Sequence, residues 1–233
     1  MSAIFALANQ KGGVAKTTTT GTLAAGLKKA GLQCADDRLR PTGQPVDVGS
    51  CRKIRTSATM YEVMKGTVSA REAIQHTPSC DIIPANTILA GIEQELHNVG
   101  KEMTLREKLR DEQTGVAEAY DYILIDCPPS LGLLTVNALT AADYLLIPTM
   151  AETFAASGIT QLYDTYKSVK KYTNPALRID GVLLTRTERT RVTKTIQELT
   201  EKNRGLHGRG RLPHDHPQQR DHQGSAGCTG ERV

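Results

Sequence analysis

Two kinds of hydrophobic pattern alternate along the chain. Short, nearly continuous apolar runs are typical of strands that are buried on both faces of a parallel sheet. Such runs occupy residues 3–8, 80–84, 122–126, 144–148 and 179–185. Between them, helix-forming segments with helical spacing of apolar residues are predicted over 18–30, 56–65, 69–75, 89–96, 103–109, 137–142 and 158–171. The alternation predicts an α/β fold with a mostly parallel, twisted sheet and helices on both faces.

The first apolar run leads directly into a loop that contains glycines and lysines, and then into a predicted helix. Glycines allow backbone N–H groups to close around a phosphate, and the positive end of the helix points at the same anion. In loops of this kind Lys16 reaches the terminal phosphates of a nucleotide, and the Thr17 hydroxyl ligates Mg²⁺. The predicted phosphate-binding residues are Lys11, Gly12, Gly13, Val14, Ala15, Lys16, Thr17 and Thr18.

This loop departs from the general phosphate-loop pattern at two positions. Gln10 and Ala15 stand where that pattern has glycine, and Ala15 adds a methyl group where the backbone wraps the phosphate. The loop fits instead the variant K-G-G-x-[GA]-K-T-T, which carries an additional lysine, Lys11. Lys11 cannot easily reach a phosphate from within its own loop turn. A chance glycine-lysine surface turn is the alternative, and the ordered strand, loop and helix argue against it.

A carboxylate follows the buried run over 122–126. A carboxylate at the carboxyl end of a strand, beside a phosphate loop, is where nucleotide hydrolases hold Mg²⁺ through water. An aspartate in this position can also cap a helix. Its combination with Lys16 and Thr17 favours the metal-supporting role for Asp126. Pro128 and Pro129 stiffen the turn that follows, as a segment sensing phosphate would require.

Composition narrows the function classes. The 233 residues suffice for one large domain, and a net charge of +4 with a pI of about 8.8 permits nucleic-acid contact without requiring it. The five cysteines show no metal or disulfide spacing, which predicts a reducing, cytoplasmic setting. Because no apolar run approaches the roughly 18 residues that span a bilayer, and the first run enters the loop directly, neither a membrane span nor a signal peptide is expected.

A cluster of cations follows the last predicted strand. Its members are Arg186, Arg189, Arg191 and Lys194. These side chains are candidate contacts to DNA phosphates, of a non-specific and salt-sensitive kind. A solvated loop and helix start is an equal alternative, and Lys167, Lys170 and Lys171 are predicted to form an ordinary solvated helix face. The sequence shows no helix-turn-helix or zinc module, so sequence-specific DNA recognition is not expected.

Four segments resemble the ParA/Soj partition ATPases, within the deviant Walker A group of P-loop NTPases. These are the loop Ala8–Thr19, the stretch Asp81–Asn86, the run Tyr120–Leu139 and the stretch Gly181–Thr185. The resemblance covers residues 1–33 and about 53–202. Within the group, the sequence I-D-C-P-P-S-L-G is closer to ParA than to MinD, the nitrogenase iron protein or the arsenite ATPases. The iron–sulfur relatives also carry cysteines that bridge a dimer, and no such motif is present in this sequence.

The resemblance implies a function as well as a fold. It implies a homodimer that encloses ATP and Mg²⁺ when ATP binds, slow ATP hydrolysis, non-specific DNA binding in the ATP state, and stimulation by a ParB-like partner. Lys11 and Lys16 are then the catalytic lysines, with Lys11 crossing to the partner's nucleotide, and Thr17 and Asp126 serve the metal. A cytoplasmic, nucleoid-associated protein without membrane association is expected. Two alternatives are a MinD-like ATPase that positions something on a membrane, and a nucleotide-binding or interaction protein that does not hydrolyse ATP.

The chain departs from the family in two segments. Between Gln33 and Arg52 the family has a buried strand ending in D-x-D-P-Q, whereas this chain has a charged segment that is not expected to line the middle of a sheet. Codons can be chosen that encode this segment and that, when the reading frame is shifted forward by one base, encode the family sequence D-L-D-P-Q. The same one-base shift of the reading frame, applied to suitable codons for the residues from Gly205 onward, gives a segment that resembles the family's later strand.

We therefore hypothesise a compensated frameshift over about 33–52 and an uncompensated one from about Asn203. The predicted organisation is one P-loop ATPase domain over 1–202 and an aberrant, disordered tail over 203–233. By resemblance, Arg40 stands where the family has the aspartate that orients the attacking water, and an arginine cannot accept that hydrogen bond. A natural variable loop with a disordered Gly/His/Arg-rich tail is the alternative. Resequencing the gene distinguishes a sequencing error from a chain that is correct as given.

Overall fold

A single mixed sheet organises the chain, whose computed structural model describes residues 2–39, 58–97, 99–150 and 155–185. Its strands are β1 (Ala3–Leu7), β2 (Cys34–Arg38), β3 (Gln75–His76), β4 (Asp81–Ile83), β5 (Tyr122–Asp126), β6 (Tyr144–Met150) and β7 (Arg178–Thr185). The helices are α1 (Lys16–Lys29), α2 (Met60–Lys65), α3 (Ala70–Ala73), α4 (Ile92–Glu95), α5 (Thr104–Arg110), α6 (Leu133–Ala141) and α7 (Ala155–Tyr172). Short 3₁₀ turns precede α4 and α5, at Thr87–Gly91 and Lys101–Met103.

The strands lie in the order β3-β4-β2-β5-β1-β6-β7. All neighbours pair in parallel except β3 and β4, which are antiparallel. The predicted α/β fold with a mostly parallel sheet is therefore confirmed. The central strand β1 lies between β5 and β6, and Leu7 pairs with Asp126. Because parallel strands end at the same edge, the loop after β1 and the carboxylate that ends β5 meet there.

The core is aliphatic, as two phenylalanines and no tryptophan require. Ile4, Ile123 and Ile125 of the central strands are fully buried and pack with Leu105 and Leu109 of α5. Within the described residues, no helix combines the length and the apolar character needed to cross a bilayer.

Local capping sets the ends of the short helices. Thr59 and Ser69 each form a reciprocal capping box with a glutamate three residues later, and Gly66 ends α2 in the left-handed conformation at φ 77°. The prediction of a helix over 69–75 is wrong at its end. Ile74 is extended at ψ 136°, and the next two residues pair with β4 as β3. Pairing with a strand that follows later in the chain thus overrides the local helical pattern.

The expectation that the charged segment after Gln33 cannot enter the sheet is wrong for its first part. Cys34–Arg38 form β2, which pairs in parallel with β4 on one side and β5 on the other. Strand pairing uses backbone N–H and C=O groups, and Cys34 and Ala35 supply buried small side chains at the start of the strand. Residues 40–57 and 186–233 lie outside the described residues, so the frameshift hypothesis and the predicted tail stay predictions.

Candidate nucleotide-binding site

The loop between β1 and α1 has the backbone conformation of an anion cradle. Gly13 and Ala15 both have left-handed φ angles, of 75° and 62°. A β-carbon added to Gly12 or Gly13 would meet no atom within 4 Å, so the backbone is open on that face. The N-cap residue of α1 is Ala15, whose methyl side chain cannot cap the helix, and the first turn of α1 directs its N–H groups and positive dipole end to this region. A phosphate fits this arrangement of donors.

Lys16 is the buried cation of the loop. Its side chain is 5% exposed, and its ammonium donates hydrogen bonds to the carbonyl oxygens of Asn9 (2.8 Å) and Lys11 (3.0 Å). The two carbonyls belong to the same loop, so the side chain folds back under the backbone that would enclose a phosphate. The arrangement keeps a positive charge within the cradle.

Thr17 and Asp126, the two predicted metal-site residues, are in direct contact. The Thr17 hydroxyl donates to Asp126 Oδ2 at 2.6 Å, and Asp126 is 1% exposed. Thr17 comes from the first turn of α1, and Asp126 from the carboxyl end of β5. Hydroxyl and carboxylate oxygens are ligands that Mg²⁺ accepts, so the donor set fits this cation at the edge of the cradle.

The neighbouring Cys127 is not a nucleophile in this arrangement. Burial, followed by the nearby Asp126 carboxylate, raises the pKa of the Cys127 thiol far above its usual value, while Lys16 acts weakly in the opposite direction. The side chain is fully buried and stays protonated. The chemistry available at this edge is therefore that of a phosphate and metal site, without a reactive thiolate.

Two side chains that support the loop were missed as functional residues by the sequence analysis. Asn9 donates from Nδ2 to the carbonyl of Pro148 (2.7 Å) and accepts the Lys11 N–H at Oδ1 (3.0 Å). Thr185, the last residue of β7, donates to the carbonyls of Val14 (3.2 Å) and Thr149 (3.1 Å). Asn9 stands inside the recognised loop motif, which was a usable signal. No local pattern indicates a contact between residues as distant in sequence as 14 and 185.

The remaining predicted residues divide into two groups. Val14 is buried, Ala15 and Lys11 are half-buried, and Thr18 is exposed on the first turn of α1. Arg40 lies outside the described residues. So do all four candidate DNA contacts, which are Arg186, Arg189, Arg191 and Lys194.

Comparison with known proteins gives consistent matches. A family model described as an AAA domain matches residues 2–179. The chain is 40% identical over 188 residues to the sporulation initiation inhibitor protein Soj of Bacillus subtilis, covering 79% of this chain and 73% of that protein. It is 40% identical over 190 residues to the chromosome partitioning protein ParA of Caulobacter vibrioides, covering 80% and 70%.

A solved structure gives the same fold with ligands bound. Cobyrinic acid a,c-diamide synthase from Mycobacterium smegmatis, with bound ADP and magnesium, superposes with a TM-score of 0.79 at 35% identity, covering 87% of this chain and 82% of that one. The extent of these matches, together with the phosphate cradle and the Thr17–Asp126 contact, leads to one assignment. The chain belongs to the ParA/Soj family of partitioning ATPases.

Proposed function

We propose that this chain is a ParA-like ATPase that binds and hydrolyses Mg²⁺-ATP as a sandwich dimer and so partitions or positions chromosomal or plasmid DNA. The observation that carries the proposal is the 2.6 Å contact between Thr17 and Asp126 beside the open loop. It joins a metal-ligating hydroxyl to a buried carboxylate at the edge where a nucleotide's phosphates would lie. The bound ADP and magnesium of the similar synthase structure support the choice of ligands.

Each residue of the site has a distinct part in this proposal. The N–H groups of the loop and of the first turn of α1 bind phosphate oxygens, and Lys16 neutralises part of their charge. The Thr17 hydroxyl and the Asp126 carboxylate would hold Mg²⁺. When bound, the cation neutralises charge that develops on the phosphates. Asp126 is 1% exposed, so bulk water has little access to its carboxylate.

Lys11 acts across the dimer. Its N–H is fixed by the Asn9 side chain and its carbonyl accepts from Lys16, so its backbone is part of the loop. We expect its ammonium to reach the nucleotide of a second copy and to stabilise the charge of the transferring phosphoryl group. This role makes dimer formation depend on ATP.

The cluster Arg186, Arg189, Arg191 and Lys194 supplies the proposed DNA contacts. Four cations in so short a segment suit non-specific binding of the phosphate backbone, with an affinity that falls as salt rises. A ParB-like protein is the proposed partner, as the resemblance to the partition ATPases implies. The proposed location of the protein is the cytoplasm, in association with the nucleoid.

A paired binding experiment tests this function. Fluorescence anisotropy of a labelled random-sequence duplex, and co-sedimentation with anionic lipid vesicles, are measured with ATP, with ADP and without nucleotide. The proposal expects DNA binding that requires ATP, weakens with salt, and is reduced in Arg189→Ala relative to the control Lys171→Ala. ATP-dependent binding to vesicles but not to DNA would instead support a MinD-like function. DNA binding that is independent of nucleotide would contradict the proposal.

A further inference from the structure

The geometry points to Thr185 as a positioning residue for the phosphate loop, a role that rests on the proposed nucleotide-binding function. Thr185 ends β7, at the same edge of the sheet as the loop after β1. Its hydroxyl lies 3.2 Å from the carbonyl oxygen of Val14 and 3.1 Å from that of Thr149. The side chain thus bridges the loop and the end of β6.

The hydroxyl has one hydrogen and two carbonyl acceptors at nearly equal distance. A threonine hydroxyl donates one hydrogen bond at a time, so Thr185 shares it between Val14 and Thr149. Val14 is fully buried, which makes the loss of a donor to its carbonyl costly. The contact therefore fixes the orientation of the Val14 carbonyl.

The Val14 carbonyl belongs to the peptide unit that precedes Ala15. Ala15 has a φ of 62°, a conformation that glycine adopts freely and alanine adopts at a cost of about 1 kcal/mol. In a trans peptide the C=O and N–H groups point in opposite directions. A carbonyl held toward Thr185 therefore keeps the Ala15 N–H directed away from β7, and rotation of this peptide would change both.

Thr185 and Ala15 are consequently coupled. Without the hydroxyl, the peptide between Val14 and Ala15 can rotate and Ala15 can return to negative φ, which removes the loop from its anion-binding conformation. Glycine at position 15 would have no such preference and would tolerate loss of the hydroxyl better. Thr185 thus compensates for the non-glycine residue that this chain carries in its loop.

A double-mutant cycle tests the coupling. Thr185→Val, which removes the hydroxyl while keeping the shape, and Thr185→Ser, which keeps it, are each combined with Ala15 and with Ala15→Gly. Calorimetric titration with Mg²⁺-ATP is expected to show affinity reduced about tenfold by Thr185→Val when residue 15 is alanine, since one buried hydrogen bond is lost. The loss is expected to be clearly smaller when residue 15 is glycine, and Thr185→Ser is expected to restore affinity.

A control separates this role from general stabilisation. Thr140→Val removes a buried hydroxyl of α6 that bonds at 2.9 Å to the hydroxyl of Thr173, the residue after α7, and this contact does not involve the loop. It should lower the melting temperature without weakening nucleotide binding. Equal effects of Thr185→Val in both backgrounds, or none in either, would overturn the inference.

A second readout does not require nucleotide. Amide hydrogen exchange of residues 12–16 in the ligand-free protein should be accelerated by Thr185→Val when residue 15 is alanine, and unchanged exchange there would overturn the inference. Absence of Mg²⁺-ATP binding by the unmutated chain would count against the proposed function, and the exchange result would still decide the role of Thr185.

Discussion

At the scale of single residues, the two lysines of the loop lie in different surroundings and should respond differently to removal. Lys16 is almost fully buried and is held by two carbonyls of the loop. Lys11 is half-buried, and the contacts that fix it within the loop use its backbone. The structure of the loop therefore includes the Lys16 side chain and the Lys11 backbone.

This difference predicts separate effects on binding and assembly. Lys16→Ala should lower ATP affinity by at least about tenfold, because a charge-assisted contact to phosphate is lost. Lys11→Ala should keep most of the ATP affinity and lose ATP-dependent dimerisation or turnover. Calorimetry measures the affinities and sedimentation velocity measures the dimer. An equal loss of ATP affinity in both variants would count against a role for Lys11 across the dimer.

At the scale of elements, two glycines near the ends of helices differ in what surrounds them. A β-carbon on Gly115, after α5, would lie 2.4 Å from the carbonyl oxygen of Asp111 and 2.6 Å from that of Leu109. A β-carbon on Gly132, at the start of α6, would lie 2.5 Å from the tip of the exposed Glu93 side chain. Backbone cannot move aside as a flexible side chain can.

The two alanine substitutions should therefore differ in stability. Gly115→Ala should reduce the free energy of unfolding by about 2–3 kcal/mol through overpacking against backbone. Gly132→Ala should cost less than about 1 kcal/mol, because Glu93 can change rotamer. Urea unfolding of both variants at neutral pH gives the comparison. Similar losses in the two variants would contradict this account of the helix ends.

A carboxylate at the start of β4 links three parts of the fold. Asp81 accepts hydrogen bonds from the hydroxyl of Tyr120 (2.8 Å) and from Nδ1 of His76 (3.0 Å), and its other oxygen lies 3.6 Å from Lys28. Burial acts to raise the pKa of Asp81, but the hydrogen bonds from Tyr120 and His76 outweigh it and hold the pKa below its usual value. The ionised form is thus favoured in the folded state.

The lowered pKa fixes the sign of a pH effect. A carboxyl group with a lowered pKa stabilises the fold above its unfolded pKa of about 3.9, and this stabilisation is lost as pH falls through the folded value. Asp81→Asn should therefore lower the free energy of unfolding by about 1 kcal/mol at pH 7, and by progressively less below about pH 4. Urea unfolding across this range measures it, with the exposed Asp180→Asn as control. A difference that does not change with pH would argue against the ionic contribution.

Elements were predictable from the sequence where their signals are local. The continuous apolar run 122–126 gave β5 its observed bounds, because a strand buried on both faces needs no partner to be recognised. The sequence predicts the start of α6 at Asn137 and the structure has it at Leu133, because the residue before the helix is Gly132, which carries no capping side chain. The pattern does not predict β2, because its pairing with β4 and β5 joins residues distant in the chain. It does not predict β3 either, because this two-residue strand lies at the end of a segment with helical spacing.

The candidate site also contains residues that local sequence predicts and residues that it does not predict. Lys16, Thr17 and Asp126 were named from loop spacing and strand ends, and the structure brings Thr17 and Asp126 together. The supports of the loop could not be named as such, because Thr185 reaches Val14 only after the whole sheet has formed. Loop chemistry is local, whereas the contacts that hold the loop in shape depend on topology.

At the scale of the whole molecule, the sheet order explains why the site forms where it does. Placing β1 between β5 and β6 brings the loop, the Asp126 carboxylate and the ends of β6 and β7 to one edge. The family match spans residues 2–179, which include the loop, Asp126 and the whole of β6.

Release of inorganic phosphate from ATP by the purified chain tests the proposed ATPase most directly. It is measured with Mg²⁺ and with excess chelator, and compared between the unmutated chain, Lys16→Ala and Asp126→Asn. The account predicts slow release that requires Mg²⁺, is abolished in Lys16→Ala and is strongly reduced in Asp126→Asn. Release from the unmutated chain that does not exceed that of Lys16→Ala, or that is indifferent to Mg²⁺, would contradict the claim that this site hydrolyses ATP.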